Sequence, residues 1–138
     1  MTRIGFVRHG ITDWNLDKRV QGHTDIPLNE KGKLQAKALA GRLTNEDWDL
    51  IYSSDLSRAK ETAGTIAEAK GVPVKLDHRL REMDCGAVEG TTAAERVTPR
   101  SQPSYPPRPA GIVSATIARS TLLKNHERKV MQAAPTLS

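Results

Sequence analysis

The feature that most constrains the fold is an alternation of short apolar runs with longer segments of helical periodicity, which occupies the first 96 residues. The apolar runs Arg3–Val7, Leu50–Ser53 and Val72–Leu76 have the length and composition of buried strands. Residues 30–43 and 55–70, between these runs, carry their apolar side chains at helical spacing. Strands that alternate with helices predict an α/β protein, in which helices pack on the faces of a parallel sheet.

The limits of both predicted helices carry capping signals. Asn29 is expected to cap a helix over Glu30–Leu43, because its side chain can accept a hydrogen bond from a free backbone N–H group. Asp55 is expected to cap the second helix in the same way. Gly71 follows the last helical residue of that segment and is typical of a helix end.

The composition changes near Arg96. Six of the eight prolines lie at or after Pro99, whereas only one of the ten glycines, Gly111, lies there. Residues 1–96 contain 15 Lys and Arg and 15 Asp and Glu, so their charges cancel. Residues 97–138 contain 6 Lys and Arg and 1 Glu, so the net charge of +5 lies in this tail. We therefore divide the chain into an α/β unit, 1–96, and an atypical basic, Pro-rich tail, 97–138. A shifted reading frame or an aberrant splice would produce such a break.

Within the tail, Gly111–Ala118 is predicted to be a strand and Thr121–Met131 a short helix. Aromatic residues do not interleave with its basic residues and no nucleic-acid motif occurs, so we predict no nucleic-acid partner. No apolar run approaches the roughly 20 residues of a membrane span, and the first residues lack the pattern of a signal peptide. The single cysteine, Cys85, cannot form an internal disulfide, which is typical of a cytoplasmic protein.

Charged side chains follow each of the three predicted strands. Arg8 and His9 come directly after the first strand. Arg58 follows the second strand and Glu82 follows the third. Because ligands bind beyond the carboxyl ends of strands in open parallel sheets, we expect these four side chains to meet at one edge. Gly10 is expected to let the backbone turn tightly there.

These residue types suit a phosphoryl group. The guanidinium groups of Arg8 and Arg58 can each hold two phosphoryl oxygens, and the amide of Asn15 is a further donor. A histidine among cations has a lowered pKa, so neutral His9 can attack phosphorus as a nucleophile. Glu82 can then protonate the leaving oxygen. Fixed cations would stabilise the transition state without a metal, so neither a metal nor another cofactor is predicted.

Each of these residues, taken singly, also has a plainer interpretation. A histidine after a strand is commonly a surface or capping residue, and an arginine at a helix start is commonly solvated. Glu82 can simply pair with Arg79 or Arg81. The other three histidines are interpreted as exposed side chains. Spacing alone leaves both interpretations open.

Four motifs taken together are far more specific than their parts. In chain order they are FVRHGITDWN, RVQGHTDIPLNEKGKLQA, IYSSDLSRAKETA and LREMDCGAVEG. Their order and spacing over about residues 3–96 resemble the histidine phosphatase superfamily, also called the phosphoglycerate mutase-like family. The resemblance implies a three-layer α/β/α sandwich around a mostly parallel sheet.

The resemblance also implies roles for individual residues. Those implied in phosphoryl transfer are Arg8, His9, Asn15, Arg58 and Glu82. Of these, His9 would become the phosphohistidine, Glu82 would donate the proton, and the other three would bind the phosphate. The residues implied in substrate contact, besides the RHGITDWN loop that includes Gly10, are Gln21 and Gly22.

The sequence departs from the family pattern at several places. Ile11 stands where a polar or acidic residue is usual, and Val88 replaces a frequent tryptophan. The family's second histidine, in a Ser/Thr-His-Gly motif after a later strand, has no matching motif here. The best match to the strand before it is Gly111–Ala118, which puts Ala115 at the histidine position. His126 has no apolar strand just before it.

The strand that carries the second histidine lies between the first and second strands in the family. Its loss would leave buried backbone groups unpaired, at about 1–3 kcal/mol each. Three outcomes are open: the predicted strand of the tail fills the gap, the first two strands pair directly, or the chain exists only as an oligomer or an unstable fragment.

The sequence therefore predicts a phosphatase that acts on phosphate monoesters through a phosphohistidine, and that is weak or inactive because the second histidine is absent. Its partner would be a small phosphorylated metabolite. RVQGHTDIPLN favours the phosphatases of the family. The alternatives are phosphoglycerate mutase-type phosphotransfer and a catalytically silent module that binds a phosphoryl ligand. The oligomeric state is left open.

Overall fold

The structure, a computed structural model, describes residues 3–96 and the backbone of the strand Lys129–Ala134. The elements in chain order are β1 (Arg3–Arg8), α1 (Asp13–Leu16), α2 (Glu30–Arg42), β2 (Leu50–Ser53), α3 (Ser57–Lys70), β3 (Val74–Leu76), α4 (Ala93–Arg96) and β4 (Lys129–Ala134). Two short 3-10 helices, His78–Leu80 and Gly86–Val88, lie between β3 and α4.

The four strands form one sheet in the order β1-β4-β2-β3, and every neighbouring pair is parallel. β1 pairs with β4 over the full length of both strands, from Arg3 opposite Lys129 to Arg8 opposite Ala134. β4 also pairs with β2, so β1 and β2 are not adjacent. The predicted α/β fold with a parallel sheet is confirmed, and the direct pairing of the first two strands is excluded.

The tail fills the gap in the sheet, but with a later segment than the sequence suggested. The helix predicted over Thr121–Met131 is wrong at its end, because Lys129–Met131 belong to β4. The strand predicted at Gly111–Ala118 lies outside the described residues. A slot with backbone partners on both sides satisfies the N–H and C=O groups of whichever short segment enters it. Intrinsic helix and strand propensities do not include this stabilisation by neighbouring strands. For this reason the sequence pattern placed Lys129–Met131 in a helix.

The helix α2 begins and ends almost as predicted. Asn29 Oδ1 accepts a hydrogen bond from Gly32 N at 2.9 Å, which is the expected N-cap. The last helical residue is Arg42, one residue before the predicted end. Among residues 3–96 and 129–134, no helix combines the length and the apolar character that crossing a bilayer requires.

The helix α3 is capped from a distance. The prediction that Asp55 caps it is wrong, because Asp55 lies outside the first turn and pairs with Arg81 instead. The carboxylate of Asp25 instead binds the first residue of α3. It accepts hydrogen bonds from Ser57 N at 2.7 Å and from Ser57 Oγ at 2.8 Å. At the other end Gly71 adopts a left-handed conformation with φ of 65°, as predicted for a helix end.

The core lies between one face of the sheet and the helices α2 and α3. The buried residues of this cluster are Val7, Ala40, Ile51, Ala63, Ile66 and Ala67. Alanines on the helices allow their backbones to approach the strands closely. Strand side chains alternate between the two faces of a sheet, so Ile4 and Phe6 lie on the face away from this core. They are 37% and 53% exposed.

A close approach of two glycines joins the end of β1 to α2. A Cβ atom on Gly10 would lie 2.4 Å from Gly32 O, and a Cβ atom on Gly32 would lie 2.1 Å from Ile11 O. Gly10 does not adopt a positive φ; among the described residues, the glycines that do are Gly22, Gly71, Gly86 and Gly90. Gly10 is needed because the backbone of α2 occupies the space of a side chain.

We expect opposite effects from two glycine-to-alanine substitutions in α2. Gly32→Ala should lower the free energy of unfolding by about 1–3 kcal/mol, because the new methyl group overlaps backbone atoms that cannot turn away. Gly41→Ala should raise it by roughly 0.5–1 kcal/mol, since nothing lies within 4 Å of the added Cβ atom and alanine is the better helix former. Urea unfolding followed by circular dichroism measures both. Equal changes in the free energy of unfolding for Gly32→Ala and Gly41→Ala would contradict the close approach of Gly32 to the backbone of Ile11.

Candidate active site

Three distant segments bring two arginines, a histidine and a glutamate to the carboxyl edge of the sheet. Arg8 is the last residue of β1 and His9 follows it. Arg58 stands in the first turn of α3, and Glu82 follows the 3-10 helix after β3. The charges of Arg8 and Arg58 act on the pKa values of both His9 and Glu82. The four residues therefore share one electrostatic environment, as the sequence led us to expect.

The imidazole of His9 is buried and held in one tautomer. Its Nδ1 atom lies 2.7 Å from Gly10 O, and a carbonyl oxygen only accepts hydrogen bonds, so Nδ1 carries the proton of the neutral ring. The Nε2 atom is buried and has no hydrogen-bond partner among the described residues. Gly10 N in turn donates to Thr62 Oγ1 at 3.1 Å, which ties this loop to α3. The arrangement leaves the lone pair of Nε2 free to attack an electrophile.

Burial and two cations keep His9 neutral. Burial lowers the pKa of His9 from 6.5 to about 4, and the charges of Arg58 and Arg8 act in the same direction. The hydrogen bond to Gly10 opposes them without reversing the shift. At neutral pH the ring is therefore almost entirely in the form that can act as a nucleophile.

Arg58 is the most deeply buried charged residue of the site, with 1% of its surface exposed. Its Nη1 atom donates to Thr24 O at 2.9 Å, and its Nη2 atom donates to Gly22 O at 2.8 Å. Nη2 also lies 3.3 Å from Glu82 Oε2. A guanidinium group has five N–H donors, so these three contacts leave two donors for the oxygens of an anion.

The carboxyl group of Glu82 is partly buried beside Arg58. Burial raises its pKa above the ordinary value, while the charges of Arg58 and Arg8 pull it down by less. A raised pKa increases the fraction of Glu82 that carries a proton near neutral pH, which is the form a general acid needs.

Glu82 does not pair with Arg79 or Arg81, the alternative that the sequence left open. Arg79 binds Asp77, with Nη2 and Oδ2 at 2.6 Å, and Arg81 binds Asp55 through two hydrogen bonds. Both arginines are thereby occupied, and Glu82 faces Arg58 instead.

A cavity of about 450 Å³ opens beside the imidazole. Arg8, His9 and Asn15 line one side of it, and Gln35 and Leu39 of α2 line the other. Of the residues that the sequence assigned to the site, Arg8, His9, Gly10 and Asn15 border the cavity, whereas the others lie outside its lining. An anion that fits this space meets a guanidinium, an imidazole and an amide.

Asn15 has two tasks, one in the fold and one toward the cavity. Its Oδ1 atom accepts from Thr12 N at 3.0 Å, and its own backbone N–H group donates to Thr12 Oγ1 at 3.2 Å. These contacts form the capping box of α1, which sequence reasoning did not predict. Because Oδ1 is used in this way, the amide Nδ2 is the group left to donate to an anion.

Gln21 and Gly22, expected to contact the substrate, do not line the cavity. Gln21 is buried, and its Oε1 atom accepts from Thr12 Oγ1 at 2.8 Å. Gly22 has a φ of 51° and offers its carbonyl oxygen to Arg58. Both residues therefore hold neighbouring groups, Thr12 and Arg58, in place.

Sequence reasoning missed Glu89, whose carboxylate accepts four hydrogen bonds. Oε1 accepts from His23 N at 2.8 Å and from Cys85 N at 3.0 Å. Oε2 accepts from Thr24 N at 2.9 Å and from Thr24 Oγ1. Two glycines flank this stretch, in GAVEG, and both have positive φ. An acidic residue in a glycine-bounded turn was the signal that could have identified it.

β4 lies between β1 and β2, where the resemblance to the family implies the strand that leads to the second histidine. This strand ends at Ala134, which pairs with Arg8 beside His9, and the sequence continues with Pro135 and Thr136. Ala115, which the sequence suggested for this position, lies outside the described residues, and the strand next to β1 is Lys129–Ala134. His126 lies outside the described residues.

Metal-ligating side chains do not gather near the site. In the part of the chain that the structure describes, no group of three or more His, Cys, Asp or Glu residues is arranged to hold a metal ion.

Comparisons with known proteins give a consistent result. The sequence pattern of the histidine phosphatase superfamily (branch 1) matches residues 4–109. A protein named uncharacterized phosphatase PhoE from Bacillus subtilis is 42% identical over 106 residues, 77% of this chain and 55% of the relative. A probable phosphoglycerate mutase GpmB from an Enterobacter species is 45% identical over 89 residues, 64% of this chain and 41% of the relative. The chain thus spans about half the length of the curated relatives it matches.

A solved structure agrees with these relatives. The phosphoserine phosphatase of Entamoeba histolytica, crystallised with 3-phosphoglyceric acid, is 41% identical. It superposes with a TM-score of 0.64 over 69% of this chain and 47% of that chain.

The low pKa of His9 makes stability depend on pH. Between pH 6.5 and about 4, the unfolded chain binds a proton at this residue that the folded chain does not, so the free energy of unfolding falls as pH falls. The full effect is about 3 kcal/mol, of which about 2 kcal/mol is reached on going from pH 7.5 to pH 5.0. Urea titrations at these two pH values should show that His9→Gln loses less stability than the wild type, by that amount. Equal losses in the two proteins would mean that His9 is not buried in its neutral form.

Proposed function

This chain belongs to the histidine phosphatase superfamily, branch 1, and we propose that it hydrolyses small phosphate monoesters through a phosphohistidine formed at His9. The observation that carries the proposal is the buried, unpartnered Nε2 atom of a neutral imidazole beside two arginines. A nucleophilic nitrogen and fixed positive charge are the two requirements for phosphoryl transfer to a histidine.

The proposed first step uses Arg8, His9 and Asn15, which line the cavity, together with Arg58 and Glu82, which lie outside its lining. The phosphoryl oxygens are held by Arg8, by the two remaining donors of Arg58 and by Asn15 Nδ2. The Nε2 atom of His9 attacks phosphorus and forms the N–P bond while the bond between phosphorus and the ester oxygen breaks. Glu82 gives its proton to that oxygen, and the alcohol leaves.

In the second step, water replaces the alcohol. The Glu82 carboxylate accepts a proton from a water molecule as its oxygen attacks phosphorus. The N–P bond breaks, inorganic phosphate leaves, and His9 returns to its neutral form. Each group ends in its starting state, so no cofactor is consumed.

The substrate class is proposed from the site and from the relatives together. The cavity of about 450 Å³ suits a small molecule. The relatives are named a phosphatase and a probable phosphoglycerate mutase, and the solved structure holds 3-phosphoglyceric acid, a small phosphate monoester. A cytoplasmic metabolite of this kind is the proposed partner, and the single cysteine fits that compartment.

Two alternative functions rest on specific observations. The likeness to a probable phosphoglycerate mutase favours transfer of the phosphoryl group to a second hydroxyl instead of water. The sequence after Ala134, which continues with Pro135, favours a weak enzyme or a silent phosphoryl-binding module, because the family's second histidine would stand there.

The test is hydrolysis of p-nitrophenyl phosphate in EDTA by the wild type, His9→Ala and Glu82→Gln. His9→Ala should have no measurable turnover, and Glu82→Gln should lose about 10²- to 10⁴-fold in kcat, the usual contribution of a general acid. Acid quenching with ³²P-labelled substrate should trap label on the wild type and not on His9→Ala.

Other outcomes would select the alternatives. Equal rates in the wild type and His9→Ala, with inorganic phosphate still bound, would leave only the silent binding module. Transfer of the label to an added acceptor alcohol in preference to water would identify a mutase.

A further inference from the structure

We infer that Glu89 is a positioning residue of the phosphoryl site, because its carboxylate fixes the loop that holds the Arg58 guanidinium in place. The inference deepens the proposed function and rests on it for the identity of the bound anion. Glu89 is not among the residues that line the cavity beside His9. It can therefore influence the site through the groups it touches and through its charge, but not by direct contact within that cavity.

The first step of the argument concerns the loop Gly22–Asp25. The carbonyl oxygens of Gly22 and Thr24 accept the two hydrogen bonds that orient Arg58. The carboxylate of Asp25 accepts from the backbone and side chain of Ser57, the residue before Arg58. One loop thus holds both the start of α3 and the guanidinium group, so its position sets where the charge of Arg58 lies.

The second step concerns what holds this loop. Glu89 accepts from His23 N and Thr24 N, two consecutive backbone groups of the loop, and from the hydroxyl of Thr24. The remaining bond, from Cys85 N, joins the loop to the turn that carries Glu89. A Cβ atom on Gly22 would lie 2.0 Å from Glu89 Oε1, so the carboxylate is in close contact with the loop backbone. Four donors converge on two oxygens, and only a carboxylate offers that many acceptor sites.

The third step concerns charge. Burial alone raises the pKa of Glu89, but the hydrogen bonds from Thr24, His23 and Cys85 outweigh it, so its pKa lies below the ordinary value. The carboxylate is therefore ionised at neutral pH. Its charge also acts on Arg58 and on Glu82, which places it in the same electrostatic network as the proposed catalytic groups.

The two possible roles of Glu89 are positioning the loop and acting through its charge alone. When Glu89 is neutralised, they predict opposite changes in phosphate affinity and in the pKa of His9. If only charge mattered, removal of a negative group near an anion site would tighten phosphate binding and lower the pKa of His9 further. If Glu89 positions the loop, Arg58 moves away from the site, so phosphate binds more weakly and the pKa of His9 rises. The sign of both changes therefore distinguishes the two roles.

The experiment uses the full chain with Glu89→Gln, Glu89→Ala and the control Glu68→Gln. Glu68 is an exposed residue of α3, so its replacement makes the same change of charge on the helix that carries Arg58. Titration calorimetry gives the Kd of inorganic phosphate, and NMR gives the titration of the His9 imidazole without phosphate. We expect Kd to rise at least tenfold in Glu89→Ala, with a smaller rise in Glu89→Gln. We expect the pKa of His9 to move from about 4 toward 6.5, and Glu68→Gln to match the wild type.

Unchanged or tighter phosphate binding, with an unchanged or lower pKa of His9, would overturn the inference. If the wild type itself binds no phosphate, the proposed function fails, while the His9 titration still decides whether Glu89 positions Arg58. If Glu89→Ala does not fold, Thr24→Val removes one of the four hydrogen bonds and decides the question. Its effect must have the sign predicted for Glu89→Gln, and the opposite sign would refute the inference.

Discussion

The buried guanidinium of Arg58 is the interaction on which the site depends. Removing a cation from water costs several kcal/mol, which is recovered only where acceptors of good geometry replace the solvent. Here the acceptors are two carbonyl groups of one loop and the carboxylate of Glu82. The fold must bring the start of α3, the loop Gly22–Asp25 and the turn after β3 together to supply them. Folding and assembly of the site are therefore the same event.

A second relation links the arginines to the histidine. Burial is the main cause of the low pKa of His9, and the charges of Arg58 and Arg8, the cations proposed to hold a phosphoryl group, lower it further. The same burial acts oppositely on Glu82, whose pKa it raises. The pKa values of these two groups are thus shifted toward a neutral imidazole and a protonated carboxyl group, which is the pairing that proton transfer to a leaving group requires.

Much of this arrangement was predictable from the sequence, because it depends on local patterns. The strands β1 and β2 and the helix α2 follow from apolar periodicity and one capping residue, and their ends bring Arg8 and His9 near Arg58. Contacts between distant residues were not predictable. The capping of α3 by Asp25 joins residues 32 apart, and the contact between Glu89 and His23 joins residues 66 apart. The entry of Lys129–Ala134 into the sheet depends on a slot created by the rest of the fold, which the segment's own residues do not encode.

The central place of β4 has a geometric consequence for the candidate site. Neighbouring strands lie about 4.8 Å apart, so a strand inserted between β1 and β2 sets their axes roughly 10 Å apart. β1 ends at Arg8, next to His9, and β2 leads to the helix that carries Arg58. The backbone of six tail residues, Lys129–Ala134, thereby sets the separation of the two segments that supply these side chains.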